Sequence, residues 1–225
     1  MFVSCWSVKG GSGTTVVAAS LALIVAASAV DGVLLVDLAG DVPAVLGVAE
    51  PPGPGIAEWL AAGSAVPPDG LARLEVPVAR GVRLLPRGHG SLAGATDRLE
   101  VLAGVLAMDH RPVIVDAGQI PTTGHGEGDG EPARVFAASA TQSLLISRCC
   151  YLSLRRAVVA GVHPSGVILV QEKGRALGSD DVSVVVGAPV VATVHHDPLI
   201  ARAVDAGLLA ARLPSTLAHA LRHAA

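Results

Sequence analysis

Apolar residues in this chain come in short, nearly continuous runs rather than in strict alternation with polar ones. Phe2–Ser7, Val33–Asp37, Pro112–Asp116, Ser143–Ser147, Gly166–Gln171 and Pro189–Val194 are such runs. Their length and bounding Gly, Pro and Asp residues predict strands buried on both faces. Glu75–Val78 and Val82–Leu85 are shorter strand candidates, separated by Arg80-Gly81. Between the strands lie segments with helical character: Thr15–Val30, Ile56–Ala62, Leu92–Met108, Ala133–Ser139, Leu152–Ala160, Asp180–Val186, Pro198–Ala206 and Thr216–His223. Ser215 is the expected N-cap of the last one. Strands that alternate with helices imply parallel pairing through crossover helices. The expected fold is therefore α/β, a doubly wound, mostly parallel sheet with helices on both faces. No repeat or compositional break divides the chain, so one domain over residues 1–225 is expected. Pro51–Gly55 and Gly118–Pro132 read as loops after strand carboxyl ends, where open α/β sheets place their ligands.

Composition changes this picture only at the margins. Hydrophobic residues make up 51% of the chain but aromatics only 2%, so the core has to be built from Ala, Val and Leu. The formal net charge of −3 supplies no global basic field for nucleic acid. Cys5, Cys149 and Cys150 lack metal-ligand spacing, and so sparse a count fits a reducing cytoplasm. Thr15–Val30 is too short for a membrane span of about 20 residues. No basic stretch precedes an apolar one at the N-terminus, so a signal peptide is not expected and the expected location is cytoplasmic.

The candidate chemistry sits in Lys9-Gly10-Gly11-Ser12-Gly13-Thr14-Thr15, between the first strand and the first helix. Glycines there let the backbone curl so that successive N–H groups converge on one centre, and the helix N-terminus adds partial positive charge. Phosphate oxygens fit such a nest. The usual phosphate loop continues with a lysine for the β- and γ-phosphates and a hydroxyl for Mg²⁺. Here Thr14 stands at the lysine position, and Thr15 keeps the hydroxyl.

With Lys9 at its start, this loop resembles that of the ParA/MinD family of deviant Walker ATPases. Val33–Asp37 resembles that family's second strand, which ends in Asp-x-Asp. Val113–Asp116 resembles its Walker B strand. Ala188–Val194 with Asp197-Pro198 resembles its last strand and base-side turn. The resemblance spans nearly the whole chain. It implies a P-loop NTPase fold that binds ATP or ADP with Mg²⁺. Gly10, Gly11, Ser12, Gly13, Thr14 and Thr15 would cradle phosphate, and Lys9 would reach the phosphates of a partner subunit in a homodimer. Thr15, Asp37 and Asp116 would serve the metal. Asp197 and Pro198 would flank the base, with Gln171 in the place of a base-reading Asn.

Two departures bear on activity. Thr14 removes a cation from the phosphates. Ala39 replaces the second acid of Asp-x-Asp, which orients the attacking water; Asp41 is the nearby substitute. Losing one charge-assisted hydrogen bond of roughly 1.5–3 kcal/mol weakens ATP binding by about 10–100-fold. The implied protein is a degenerate ATPase with weak or absent hydrolysis that acts in spatial positioning. It would recruit a protein cargo or a polar or division-site partner. Atypical loops also occur in the TadZ/CpaE pilus-localisation branch, which the chain resembles. The alternatives are a nucleotide-independent scaffold and an ATP-dependent synthetase; the second requires the loop lysine.

Other clusters are weaker. His195, His196 and Asp197 lack a clear third metal ligand. His125, Glu127 and Asp129 fall where the family has its second switch. Arg148, Arg155 and Arg156, with Arg83, Arg87 and Arg98, are candidates for a local nucleic-acid face, though solvated surface arginines are the simpler reading. The C-terminal segment is short, Ala-rich and poor in lysine, so packing on the domain is expected over membrane binding.

Overall fold

The computed structural model describes residues 1–63, 67–122 and 130–224. Eight strands form one sheet: β1 (Phe2–Ser7), β2 (Val33–Asp37), β3 (Val76–Ala79), β4 (Val82–Leu85), β5 (Val113–Gln119), β6 (Gln142–Arg148), β7 (Gly166–Gln171) and β8 (Val190–His195). Their order is β3-β4-β2-β5-β1-β6-β7-β8. Every pairing is parallel except the β3–β4 hairpin at one edge. That hairpin turns at Arg80-Gly81, and Gly81 adopts φ +74°. The chain crosses from β1 to β2 through a helix, then places β5 between them, so β1 lies at the centre with all six residues buried.

The described helices are α1 (Thr14–Ala26), α2 (Val42–Leu46), α3 (Ile56–Ala61), α4 (Thr96–Ala107), α5 (Glu131–Ser139), α6 (Tyr151–Val158), α7 (Ser179–Val186), α8 (Pro198–Asp205) and α9 (Ser215–Leu221). A short 3-10 turn occupies Pro68–Arg73. Strand alternation sorts the apolar runs into two cores. Phe2, Trp6, Val113, Val115 and Leu145 face one side, with Leu99, Phe136 and Leu154 from α4, α5 and α6. Val3, Cys5, Ile114, Leu144 and Ile146 face the other, with Leu21 of α1 and Leu217 and Leu221 of α9. The few aromatics concentrate on the first side. The Phe2 and Phe136 rings meet edge to face at 6.2 Å, and the buried Trp6 indole donates to Ser143 Oγ at 2.9 Å.

Several expected boundaries are corrected. The first helix ends at Ala26, not Val30, because the chain turns toward Gly32 at φ +75° to enter β2. The helix expected from Leu92 begins at Thr96. Pro214, not Ser215, holds the N-cap position of α9. The five-residue α2 has no counterpart in the sequence reading.

One close approach fixes α2 against the C-terminal region. Gly47 ends α2 with φ +73°, and a Cβ there would overlap the Gly207 carbonyl. Gly47→Ala therefore faces both a left-handed backbone and a backbone clash. It is expected to destabilise the protein by about 2 kcal/mol or more, read as a lowered urea midpoint at unchanged slope. A midpoint equal to wild type would refute the tight packing.

Candidate functional site

The turn after β1 is built by backbone geometry. Gly11 (φ +71°) and Gly13 (φ +88°) both lie in the left-handed region, with open space where a Cβ would be. They are needed for conformation rather than for room. Ser12 Oγ donates to the Lys9 carbonyl at 2.7 Å and braces the loop from inside. Gly13 then serves as the N-cap of α1, without a side-chain cap and with no acid in the first turn. The first-turn N–H groups face the loop and suit an anion. Thr14 is buried, and Thr15 is half-buried. Lys9 is half-buried, and its Nζ lies 3.5 Å from the carbonyl of its own neighbour, Gly10.

Beside this turn two carboxylates lie side by side on adjacent strands. Asp37 of β2 is in register with Asp116 of β5, and both are almost fully buried. Asp37 is compensated by its own turn. Its Oδ1 accepts the Gly40 N–H at 2.6 Å, and its Oδ2 accepts the Val42 N–H at 3.1 Å. Asp116 Oδ1 accepts the Gly118 N–H at 3.2 Å, whereas its Oδ2 is buried with no hydrogen-bond partner. Desolvation dominates both titrations. It pushes Asp37 up to about 6 against its backbone donors. It pushes Asp116 up to about 7, opposed by the nearby Thr15 hydroxyl and aided by the charge of Asp37. An unpaired buried carboxylate oxygen next to a threonine hydroxyl fits the outer shell of a hydrated divalent cation, so Thr15 and Asp116 would hold Mg²⁺. When bound, the ion would neutralise phosphate charge.

Asp41 is exposed at the start of α2. It raises the pKa of both buried acids by its charge but makes no side-chain cap there. Ala39 lies against the site: a Cβ at Gly118 would sit 3.4 Å from Ala39 Cβ. The position expected for a water-orienting acid is therefore at the site and carries a methyl group.

On the other side of the phosphate turn is a cavity of about 390 Å³. Gly11–Gly13, Val17, Val170, Glu172, Val194 and Asp197 contribute to its walls. Asp197 is also structural. It caps α8 by accepting the Leu199 N–H at 2.9 Å and the Thr216 hydroxyl at 3.0 Å, and Pro198 opens that helix. Gln171 is not on the cavity wall. Alternation at the end of β7 turns Val170 and Glu172 toward it, and Gln171 uses its carbonyl to accept the His196 N–H at 2.8 Å. Glu172, which the sequence reading did not single out, is ion-paired to Arg148 and Arg175. Its only signal in the sequence was its place one residue past an apolar strand.

The arginines proposed as a face are dispersed. Arg83 pairs with Glu75, Arg98 stacks over Trp59 and Arg148 pairs with Glu172. Among the described residues no group of three His, Cys, Asp or Glu side chains is arranged to hold a metal ion, and no helix is long and apolar enough to cross a membrane. His125, Glu127 and Asp129 lie outside the described residues.

The raised carboxyls set a pH dependence. A pKa above its unfolded value means that the folded state holds the proton more tightly, so stability falls as pH rises through the window between the two values. Here that window runs from about 4, the ordinary carboxylate value, to about 6 for Asp37 and about 7 for Asp116. Without ligand, the melting temperature is expected to fall between pH 4 and pH 7, and Asp116→Asn is expected to flatten that slope. A wild-type slope of the opposite sign would contradict the desolvation of these groups.

This architecture is shared with solved structures. The septum site-determining protein MinD of Pyrococcus horikoshii OT3, complexed with Mg-ADP, superposes with a TM-score of 0.75 at 21% identity, covering 98% of this chain and 92% of that one. A ParA family ATPase from Chlorobium tepidum TLS gives 0.72 at 17% identity, with 98% and 96% covered. A chain of the MinC:MinD cell division protein complex of Aquifex aeolicus gives 0.69 at 17% identity, with 99% and 95% covered. No protein-family model and no curated protein matches the sequence. The chain has the ParA/MinD-type α/β fold.

Proposed function

We propose that this protein is a ParA/MinD-like positioning factor that holds ATP or ADP with Mg²⁺, hydrolyses ATP slowly or not at all, and dimerises to recruit a protein partner in the cytoplasm. The observation that carries this reading is Asp116. Its Oδ2 is buried and lacks a hydrogen bond of ordinary geometry, with the Thr15 hydroxyl close enough to lower its pKa, next to a helix N-terminus that no side chain caps. A purely structural carboxylate would have both oxygens satisfied, as Asp37 has. The fold supports the same reading, because relatives in shape include a MinD solved with Mg-ADP and a chain of the MinC:MinD complex.

The chain's own groups divide the work unequally. The loop N–H groups of Gly11 to Thr15 would bind and orient phosphate, and the apolar walls at Val170 and Val194 would take the base. Asp37 is held by Gly40 and Val42 and keeps the turn toward α2 in place. With Ala39 at the water-facing position, no carboxylate orients a nucleophile there, and Asp41 is the nearest replacement. Lys9 pairs with no carboxylate among the described residues, which fits a group that meets phosphate across a homodimer.

Calorimetry with Mg-ATP and Mg-ADP tests the reading. Binding of both is expected, together with ATP-dependent dimerisation in light scattering and turnover far below that of ordinary P-loop enzymes. Thr14→Lys is expected to tighten Mg-ATP by about 10–100-fold. No binding of either nucleotide at millimolar concentration would overturn the proposal. A dimer that forms equally without nucleotide would favour a nucleotide-independent scaffold instead.

A further inference from the structure

With Thr14 in place of a lysine, the phosphate loop places no cation of its own beside the last phosphate of a bound triphosphate, and Lys9 points back toward Gly10. The opposite wall holds one. A second cavity of about 350 Å³ lies at the carboxyl ends of β2 and β5, lined by residues that include Leu38, Ala39, Arg87, Gly118 and Gln119. Arg87 is the one ionisable residue among its described lining residues. Gln119 closes the side toward the phosphate loop, with its Oε1 3.3 Å from where a Cβ at Gly10 would sit. Gly118, on the same wall, is the residue whose N–H holds Asp116. Two of its wall residues therefore reach the site: Gln119 touches the phosphate turn at Gly10, and Gly118 holds Asp116.

The Arg87 guanidinium is oriented but not neutralised. Its Nε donates to the Leu38 carbonyl at 3.2 Å, and its Nη1 donates to the Gly90 carbonyl at 3.1 Å and the Gly88 carbonyl at 3.5 Å. Among the described residues it pairs with no carboxylate, and its Nη2 donates to no protein group. The side-chain stem packs on Gly40: a Cβ there would come within 3.1 Å of Arg87 Cδ, and Gly40 takes φ +97°. An acid at position 39 would stand next to this charge. Ala39 leaves it available, in the same place where the chain lacks its water-orienting carboxylate.

We propose that Arg87 supplies the cation for the terminal phosphate of a bound nucleoside triphosphate, from the wall facing the phosphate loop. A guanidinium held by carbonyls through Nε and Nη1 still offers the two N–H groups of Nη2, with its full charge, to phosphate oxygens. A cation at this place would act on the last phosphate of a triphosphate, so Arg87 would distinguish the triphosphate from the diphosphate. This inference rests on the nucleotide-binding reading above.

The test is calorimetry of the full chain with Mg-ATP and Mg-ADP, comparing wild type, Arg87→Gln and Arg87→Lys, alone and in a Thr14→Lys background. Arg87→Gln is expected to weaken Mg-ATP by about tenfold or more and Mg-ADP by no more than about twofold. Arg87→Lys keeps the charge but not the carbonyl-held orientation and should fall between, so it reports even if the Gln variant folds poorly. In the Thr14→Lys background the loss at Arg87 should shrink, because a second cation then reaches the same phosphate. Equal losses for both nucleotides, or no loss in either variant, would overturn the assignment of Arg87 while nucleotide binding stands. Failure of the wild type to bind either nucleotide would overturn both.

Discussion

Two carboxylates buried side by side, Asp37 and Asp116, constrain everything at the ligand-facing edge of the sheet. Ionised carboxyl groups out of water are costly unless they are compensated. Asp37 is compensated locally, and the compensation shapes the chain: its two oxygens gather the Gly40 and Val42 N–H groups and fold the turn that launches α2. Asp116 is compensated less fully, by the Gly118 N–H and the nearby Thr15 hydroxyl, and its Oδ2 makes no hydrogen bond of ordinary geometry. The fold thus keeps one acid as a structural tie and leaves its neighbour less satisfied. Parallel pairing of β2 with β5 puts them at the same level, so this difference is a property of the loops and not of the strands.

Seen from these acids, the site is a set of substitutions in charge. The phosphate turn retains its backbone donors, which depend on Gly11 and Gly13 adopting left-handed φ. Thr14 withdraws one cation and Ala39 withdraws one anion. Arg87 sits beyond both, with its charge unmatched among the described residues. Binding of a polyanion needs donors and cations around the phosphates, whereas hydrolysis also needs an oriented water.

The base-side cavity shows how far residue type alone falls short. Gln171 is a plausible base reader by composition, an amide at the end of a strand in the expected place. Strand parity decides otherwise for the cavity wall, because Val170 and Glu172 share one direction and Gln171 takes the other. Glu172 then acquires Arg148 and Arg175 as partners from β6 and from the loop after β7. Asp197 illustrates a double role: the same carboxylate that lines the cavity ties α8 to α9 through Thr216.

What the amino-acid sequence determined by itself was the architecture. Continuous apolar runs of five or six residues mark strands covered on both faces, and a sheet of such strands can close only through crossover helices. The Gly-rich turn after the first run, and the acids that close the Val33–Asp37 and Pro112–Asp116 runs, were legible for the same local reason: each is set by a few adjacent residues. The helix ends were less legible. The apolar Ala-rich stretch continues past Ala26, and only the turn at Gly32 into β2 stops α1. The five-residue α2 exists because Asp37 holds its first turn and Gly47 packs on Gly207. Tertiary structure alone decided which oxygen of which aspartate lacks a partner, which of two adjacent strand-end residues faces the cavity, and which surface arginine is left with unmatched charge. Those are relations between segments far apart in the chain, set by strand register and by the depth at which each side chain loses water.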